Sequence, residues 1–333
     1  VRLSIETLTL PLVHTFTIAR GSESVAETAV FRVTHDAFEG LGEGKPIERY
    51  DESIPSLLAY YASHTLRGDD PFALERLLEG IPPGARCGLD VALHDLIGKM
   101  LGRPLWQLFG LDRDATPVTS FTIGIDTPEA MLEKVEEVRD HPILKVKLGG
   151  TNDDVELLAA IRSRYTGIVR VDANEAWTPD RAVAMLRELR RYDVEFCEQP
   201  IPAGAPEQLR FVREHSSIPI VADEDAVTAA DVPALRGCVD GVNVKLAKCG
   251  GIRAALAMIH TARACGLRIM LGCMLETAIL STAAAQLSPL VDWADLDGPF
   301  LLADDPFAGI TYEHGKIVLP DGPGLGVRER TAA

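Results

Sequence analysis

The sequence predicts an α/β fold: a modified TIM barrel of (β/α)7β form, capped by an N-terminal α+β domain that the C-terminal tail completes. Three observations predict it. From Val118 onward, short β-branched runs alternate with helical patterns, the rhythm of a parallel barrel. Charged residues close five consecutive runs at nearly even spacing. Before residue 115 that alternation is absent, and strands precede helices instead. A chain of 333 residues suits one large or two ordinary domains.

Residues 1–115 form the expected capping domain. Residues 3–10 and 29–34 read as strands, and Gly40-Leu41-Gly42-Glu43-Gly44 follows a turn region at Phe38-Glu39. Helical patterns follow at 53–62, 71–78 and 85–100, the last stopped by Gly102 and Pro104. Between the first strands lies Thr15-Phe16-Thr17-Ile18-Ala19-Arg20-Gly21-Ser22-Glu23-Ser24. Its Gly and Ser content predicts a mobile loop. On local signal alone, Arg20 reads as a solvated charge on that loop.

The barrel is expected over 116–298. Its strands are placed at 118–123, 143–148, 168–171, 195–197, 218–222, 241–244, 267–271 and around 291–294. Helices are placed at 128–139, 155–164, 181–191, 207–215, 232–235, 252–265 and 278–287. No helical pattern follows the eighth strand, which gives eight strands and seven helices. The tail, 299–333, is rich in Pro and Gly and is expected to return to the first domain.

Lys147, Asp172, Glu198, Asp223 and Lys245 stand at the C-terminal ends of the second to sixth strands. Their intervals are 172−147 = 25, 198−172 = 26, 223−198 = 25 and 245−223 = 22. Each interval fits one strand plus one helix. In a closed barrel those ends converge on one mouth. Asp172, Glu198 and Asp223 are hard oxygen donors with no His or Cys nearby in sequence, which favours Mg²⁺ over zinc. The bland alternative is that each carboxylate caps the helix that follows it. Lys145 and Lys147 lie two apart and so share a strand face. Both faces of a parallel barrel strand are covered, so the pair is expected to point into the mouth.

Two lysines on opposite sides of a metal-bound carboxylate suit proton transfer at its α-carbon. Removing that proton needs cations nearby to stabilise the charge that develops. Burial and neighbouring cations lower a lysine pKa enough for it to act as base. One lysine would take the proton and the other would return it to the opposite face.

Composition narrows the alternatives. A net charge of −16 argues against a nucleic-acid partner. No apolar run approaches the ~20 residues that span a bilayer. The six cysteines, at 87, 197, 238, 249, 265 and 273, show no CxxC or Cys/His ligand spacing. They read as reduced residues of a cytoplasmic protein. Val1-Arg2-Leu3-Ser4-Ile5 alternates like a strand, so no signal peptide is expected.

The motifs Leu144-Lys145-Val146-Lys147, Val171-Asp172-Ala173-Asn174, Glu198-Gln199-Pro200, Ala222-Asp223-Glu224 and Asn243-Val244-Lys245-Leu246-Ala247-Lys248-Cys249-Gly250-Gly251 resemble those of the enolase superfamily, in its muconate-lactonising-enzyme-like subgroup. The resemblance covers nearly the whole chain. It implies catalytic Lys147 and Lys245, and one Mg²⁺ held by Asp172, Glu198 and Asp223, with Mn²⁺ able to substitute. These roles follow the superfamily's known lysine-plus-Mg²⁺ chemistry.

Asp295-Leu296-Asp297 looks like the Asp-x-Asp motif of dipeptide epimerases, whose carboxylates bind a substrate's free α-ammonium. Two anions a residue apart suit an ammonium with three donors. As bare sequence, Asp-Leu-Asp-Gly-Pro also reads as a turn. Residues 16–22 resemble the substrate-closing loop of L-Ala-D/L-Glu epimerases, where Arg20 would bind the glutamyl carboxylate. Lys145 joins the expected substrate-binding set, with Thr122 and Cys273 as pocket walls by position. Glu276 either belongs to the mouth or caps the next helix.

The leading expectation is therefore a cytoplasmic dipeptide epimerase, of the L-Ala-D/L-Glu kind, serving cell-wall peptide recycling. Its partner would be a small dipeptide. A homo-oligomer is compatible with the chain, but nothing in it sets a number. An o-succinylbenzoate synthase, N-acylamino acid racemase or cycloisomerase would share both lysines and all three metal ligands. A non-catalytic binding protein on this scaffold is the reading from another class, and it gives no reason for all five charged residues.

Overall fold

The structure is a computed structural model that describes residues 1–150 and 153–330. Thus the last three residues of the expected tail lie outside the described residues. The chain begins with an antiparallel sheet of β1 (Arg2–Ile18), β2 (Gly21–His35) and β3 (Phe38–Gly44). Helices α1 (Ile54–Ser63), α2 (Leu74–Leu78), α3 (Pro83–Leu101) and α4 (Leu105–Leu108) follow. The long helix α3 packs Leu89, Ala92, Leu93 and Leu96 against Ala29, Phe31 and Val33 of β2 in one apolar cluster.

The stretch expected to be a mobile loop is the tip of the β1–β2 hairpin. Thr17 pairs with Ser22 and Ile18 with Gly21, so only Ala19 and Arg20 turn the chain. The strand-forming Thr15, Phe16, Thr17 and Ile18 outweigh the Gly and Ser that follow. The register slips between Pro11 and Phe16, where the ladder is interrupted.

The barrel has strands β4 (Phe121–Ile123), β5 (Ile143–Lys147), β6 (Ile168–Asp172), β7 (Val194–Glu198), β8 (Ile220–Ala222), β9 (Gly241–Lys245), β10 (Arg268–Gly272) and β11 (Trp293–Asp295). Each pairs in parallel with the next in sequence. A parallel bridge between Thr119 and Ala294 closes the ring, with Ser120 N donating to Ala294 O at 3.1 Å. The first strand is therefore shorter than expected. Val118 is drawn instead to Lys316 of the tail.

Among the described residues, seven helical segments connect the strands: α5 (Pro128–Glu137), α6 (Asp154–Arg162), α7 (Pro179–Leu189), α8 (Pro206–Glu214), α9 (Val232–Leu235), α10 (Leu246–Cys249) with α11 (Ile252–Ala264), and α12 (Ala278–Ala285). Side-chain caps start several of them. Thr127, Asp153, Thr178 and Thr277 each accept a backbone N–H of the first turn. A short turn, α13 (Gly298–Leu301), follows the eighth strand, where no helix was expected. Pro299 at its start and Asp297, whose carbonyl accepts Phe300 N at 2.9 Å, explain this turn.

The barrel floor is packed by Phe196, Val221, Met270 and Trp293. Arg170 lies over the Phe196 ring and pairs with Glu195, so it fills the interior below Asp172. After α13, strand β12 (Phe307–Ala308) pairs with β15 (Arg328–Glu329), and β13 (Thr311–Glu313) with β14 (Lys316–Val318). The tail touches the N-terminal unit through Leu105 N to Gly324 O at 3.0 Å and Leu325 N to Asp95 Oδ1 at 2.7 Å.

Candidate active site

Strand register puts the charged residues level with one another. Lys147 pairs opposite Asp172, and Asp172 opposite Glu198. Across the barrel, Gly272 pairs with both Lys245 and Asp295. Lys147 on β5 and Lys245 on β9 are four strands apart in a ring of eight, so they face each other.

Between them lies a buried network of opposite charges. Lys147 Nζ is 2.6 Å from Asp172 Oδ2, and Lys245 Nζ is 2.8 Å from Asp223 Oδ2. Lys145 Nζ lies 2.5 Å from Glu198 Oε2, 2.6 Å from Asp295 Oδ2 and 3.2 Å from Asp172 Oδ2. Asp172 and Glu198 are both fully buried. The structure thus brings all five strand-end residues together, with Lys145 at the centre.

Burial would lower Lys145 and Lys245, but carboxylates outweigh it. Asp295, Glu198 and Asp172 hold Lys145 well above the ordinary lysine value, and Asp223 with Glu198 raises Lys245. The carboxyls diverge. Burial opposes ionisation of Asp172 and Asp223, but their lysines hold both below the usual range. Burial and then the Asp172 charge push Glu198 up to about 8. Lysine charge therefore compensates Asp172 and Asp223 better than Glu198.

Among the described residues, no three His, Cys, Asp or Glu side chains already stand in metal-ligating geometry. In this structure the lysine ammonium groups lie on the carboxylate oxygens instead. The donor chemistry nonetheless fits a hard divalent cation. Asp172, Glu198 and Asp223 are oxygen donors at the ends of three adjacent strands, and Glu198 is the one whose ionisation the lysines support least, so a cation there would favour its carboxylate form.

The remaining expected residues also reach this end of the barrel. Asp295 accepts from Lys145 and from Ser120 Oγ, the latter at 2.5 Å. Asp297 Oδ2 accepts Thr122 N at 2.7 Å, and Asp297 Oδ1 lies 3.6 Å from Cys273 Sγ. Thr122 and Cys273 therefore stand beside Asp297. Burial and then Asp295 raise Asp297 to about 6. Arg20 reaches over from the hairpin tip to Asn174 O at 3.0 Å, Glu175 Oε2 at 2.9 Å and Glu224 Oε1 at 2.6 Å. It is not a solvated charge.

Several residues of the network escaped the sequence reading. Lys248 donates to Asp223 O at 2.6 Å and Ala226 O at 3.0 Å, and also pairs with Asp223 Oδ1. Its place one helical turn after Lys245 was the available signal. Asn243 Nδ2 donates to Glu198 Oε1 at 2.7 Å. Gln199 Oε1 accepts Asp223 N at 2.9 Å, tying the second carboxylate's loop to the third. Glu175 joins Arg20 to Arg49 and accepts Ala203 N at 2.8 Å. Asn174, Glu175 and Gln199 all have positive φ, at 42°, 70° and 32°. Such strain in non-glycine residues gathers at functional sites. Glu276 faces inward: it accepts Met274 N at 3.1 Å and Ser281 Oγ at 3.1 Å.

A barrel whose opposed lysines flank a trio of carboxylates defines a class of metal-assisted carbon-acid enzymes. The chain belongs to the mandelate racemase / muconate lactonizing enzyme family, whose N-terminal domain matches residues 4–110, with an enolase C-terminal domain-like region over 130–333. It is 39% identical over 327 residues to an L-Ala-D/L-Glu epimerase of Bacteroides thetaiotaomicron, covering 96% of this chain and 85% of that protein. Its fold matches a substrate-liganded L-Ala-D/L-Glu epimerase of Bacillus subtilis with a TM-score of 0.90, at 30% identity over 98% of both chains. A dipeptide epimerase of Enterococcus faecalis, complexed with Mg and L-Leu-L-Tyr, matches with a TM-score of 0.90, at 34% identity over 98% of both chains.

Proposed function

We propose that this protein is a Mg²⁺-dependent dipeptide epimerase that acts on L-Ala-D/L-Glu or a closely similar dipeptide. The observation that carries the reading is the opposition of Lys147 and Lys245 across Asp172, Glu198 and Asp223. One divalent ion held by those three carboxylates would supply the positive charge that makes the α-proton of the substrate carboxylate removable. That ion would also offset the Asp223 and Glu198 charge that raises Lys245. One then takes the α-proton as a free amine, and the other, as an ammonium, delivers a proton to the opposite face.

Lys145 offers a buried cation to the substrate carboxylate. Asp295 and Asp297 receive the free α-ammonium, with Asp297 placed by Thr122 and Cys273. Arg20 closes the hairpin tip over the site and receives an acidic second side chain, which must draw it from Glu175 and Glu224. Residues 1–115 would serve as the cap, 116–298 as the barrel and 299–333 as a tail completing the cap.

The setting we propose is cytoplasmic recycling of cell-wall peptides. Free cysteines support it, since all six are unpaired. Among the described residues, no helix is long and apolar enough to cross a membrane.

Solvent-deuterium incorporation tests the reaction. L-Ala-L-Glu in D2O with Mg²⁺ should gain deuterium at the glutamyl α-carbon and yield L-Ala-D-Glu. Exchange confined to N-acylated amino acids would replace the reading with an N-acylamino acid racemase. Loss of water from a β-hydroxy carboxylate, with no exchange into the dipeptide, would point to a synthase.

A further inference from the structure

The segment that carries Lys245 is gripped from outside the barrel. Lys245 ends β9, the one-turn helix α10 follows, and Gly250-Gly251 leads into α11. Two residues of α3, in the N-terminal unit, bind both ends of this passage. Arg86 Nη2 donates to Cys249 O at 2.9 Å and Arg86 Nε to Gly250 O at 3.1 Å, satisfying carbonyls where α10 ends. Asp90 Oδ1 accepts Ile252 N at 2.5 Å and lies 3.4 Å from Arg253 N, so a carboxylate of another unit caps the start of α11.

The fit admits no side chain between. A Cβ at Gly250 would lie 2.7 Å from Arg86 Nη2, and one at Gly251 would lie 2.4 Å from Asp90 Oδ1. Both glycines also have positive φ, at 97° and 103°. Inside this clamp sits Lys248, whose ammonium is bound to Asp223. Holding α10 therefore fixes Lys245, Lys248 and the carboxylate they share.

The opposite lysine is placed differently. Beyond Lys147, Leu148 N donates to Asp172 O at 2.9 Å and Gly149 N to Asp154 Oδ1 at 3.2 Å, both within the barrel. Among the described residues, no hydrogen bond joins α3 to β5 or to residues 148–150.

We infer that Arg86 and Asp90 are positioning residues for Lys245, so that α3 aligns one face of the proton-transfer site and has no such grip on the segment that carries Lys147. The inference rests on the two-lysine reading above. A loss of positioning should therefore affect one substrate epimer and not the other.

The test measures solvent-deuterium exchange separately from L-Ala-L-Glu and L-Ala-D-Glu, in Mg²⁺-loaded protein. Lys245→Ala first identifies the epimer that Lys245 deprotonates. Arg86→Met should slow exchange of that epimer by about 10-fold or more and the other by less than about threefold, since small displacements of a reacting group cost that much. Arg86→Lys, which keeps a donor for Cys249 O, should recover part of the loss. Should Arg86→Met fail to fold, Asp90→Asn carries the same expectation, because it weakens the cap on α11 without removing its acceptor oxygen. If Lys245→Ala separates the epimers but the clamp variants slow both equally, or neither, the inference is overturned and the two-lysine reading survives. If Lys245→Ala does not separate them, the reading falls and this inference falls with it.

Discussion

Lys145 Nζ lies 2.6 Å from Asp295 Oδ2, although 150 residues separate them in sequence. The contact spans the closure of the barrel, from β5 to β11. It joins two members of the expected substrate-binding set. One ammonium holds Asp295, Glu198 and Asp172 together, and each of the three is at most 5% exposed.

Replacing Lys145 with Met should therefore destabilise the chelator-treated protein strongly. The substitution keeps most of the apolar stem but removes the ammonium and leaves buried carboxylates uncompensated, at a cost of about 3–5 kcal/mol. A urea melt should show a lower midpoint with an unchanged slope. An unchanged midpoint would mean that the pairing adds nothing to stability.

Chelation should abolish turnover while the fold remains. The carboxylate trio is already stabilised by lysines, so loss of the cation leaves no naked cluster of negative charge. EDTA-treated protein should keep its circular dichroism and regain activity with Mg²⁺ or Mn²⁺. Full activity after exhaustive chelation would remove the metal from the mechanism.

A free substrate amine should matter, and Asp297 should matter more than Asp295. Asp295 is already occupied by Lys145 and Ser120, whereas Asp297 is held by a backbone N–H and lies near a thiol. N-acetylation of L-Ala-L-Glu removes the ammonium, leaving a buried acceptor unpaired at a cost of about 1–3 kcal/mol. The corresponding loss in kcat/KM is roughly 5- to 150-fold. Asp297→Asn should narrow that gap further than Asp295→Asn does. Equal rates on the free and acetylated dipeptides would favour an N-acylamino acid racemase or a synthase.

Glu276 should make the protein less stable as pH rises. Burial and then Glu43 raise its carboxyl from 4.5 to about 8. A carboxyl raised on folding contributes its full stability below its unfolded value and loses it as pH climbs through the folded value. The window therefore runs from about pH 4.5 to about pH 8. Glu276→Gln cannot ionise, so its Tm should fall less across that window, the difference reaching a few degrees at its alkaline end. Parallel Tm curves for variant and parent would show that Glu276 does not ionise there.

The sequence by itself determined the (β/α)7β barrel and the members of its mouth. Strand-end residues repeat with the length of one βα unit, and a closed parallel sheet leaves those ends only one place to meet. Lys147, Asp172, Glu198, Asp223 and Lys245 were legible because backbone periodicity alone orders them. Arg20 was legible as a residue but not as a contact, since its strand run was masked by the Gly and Ser that follow. The tertiary structure decided which charge answers which. Lys145 binds Asp295 because barrel closure makes distant strands neighbours, and the depth of a side chain below the rim has no signature in spacing. Lys248, Asn243, Gln199 and Glu175 act on partners 22 to 155 residues away. Arg86 and Asp90 reach 162 to 164 residues to grip the turn after Lys245. Hydrogen bonds across such separations depend on how two folded units dock, and that docking is set by packed surfaces, not by any local pattern along the chain.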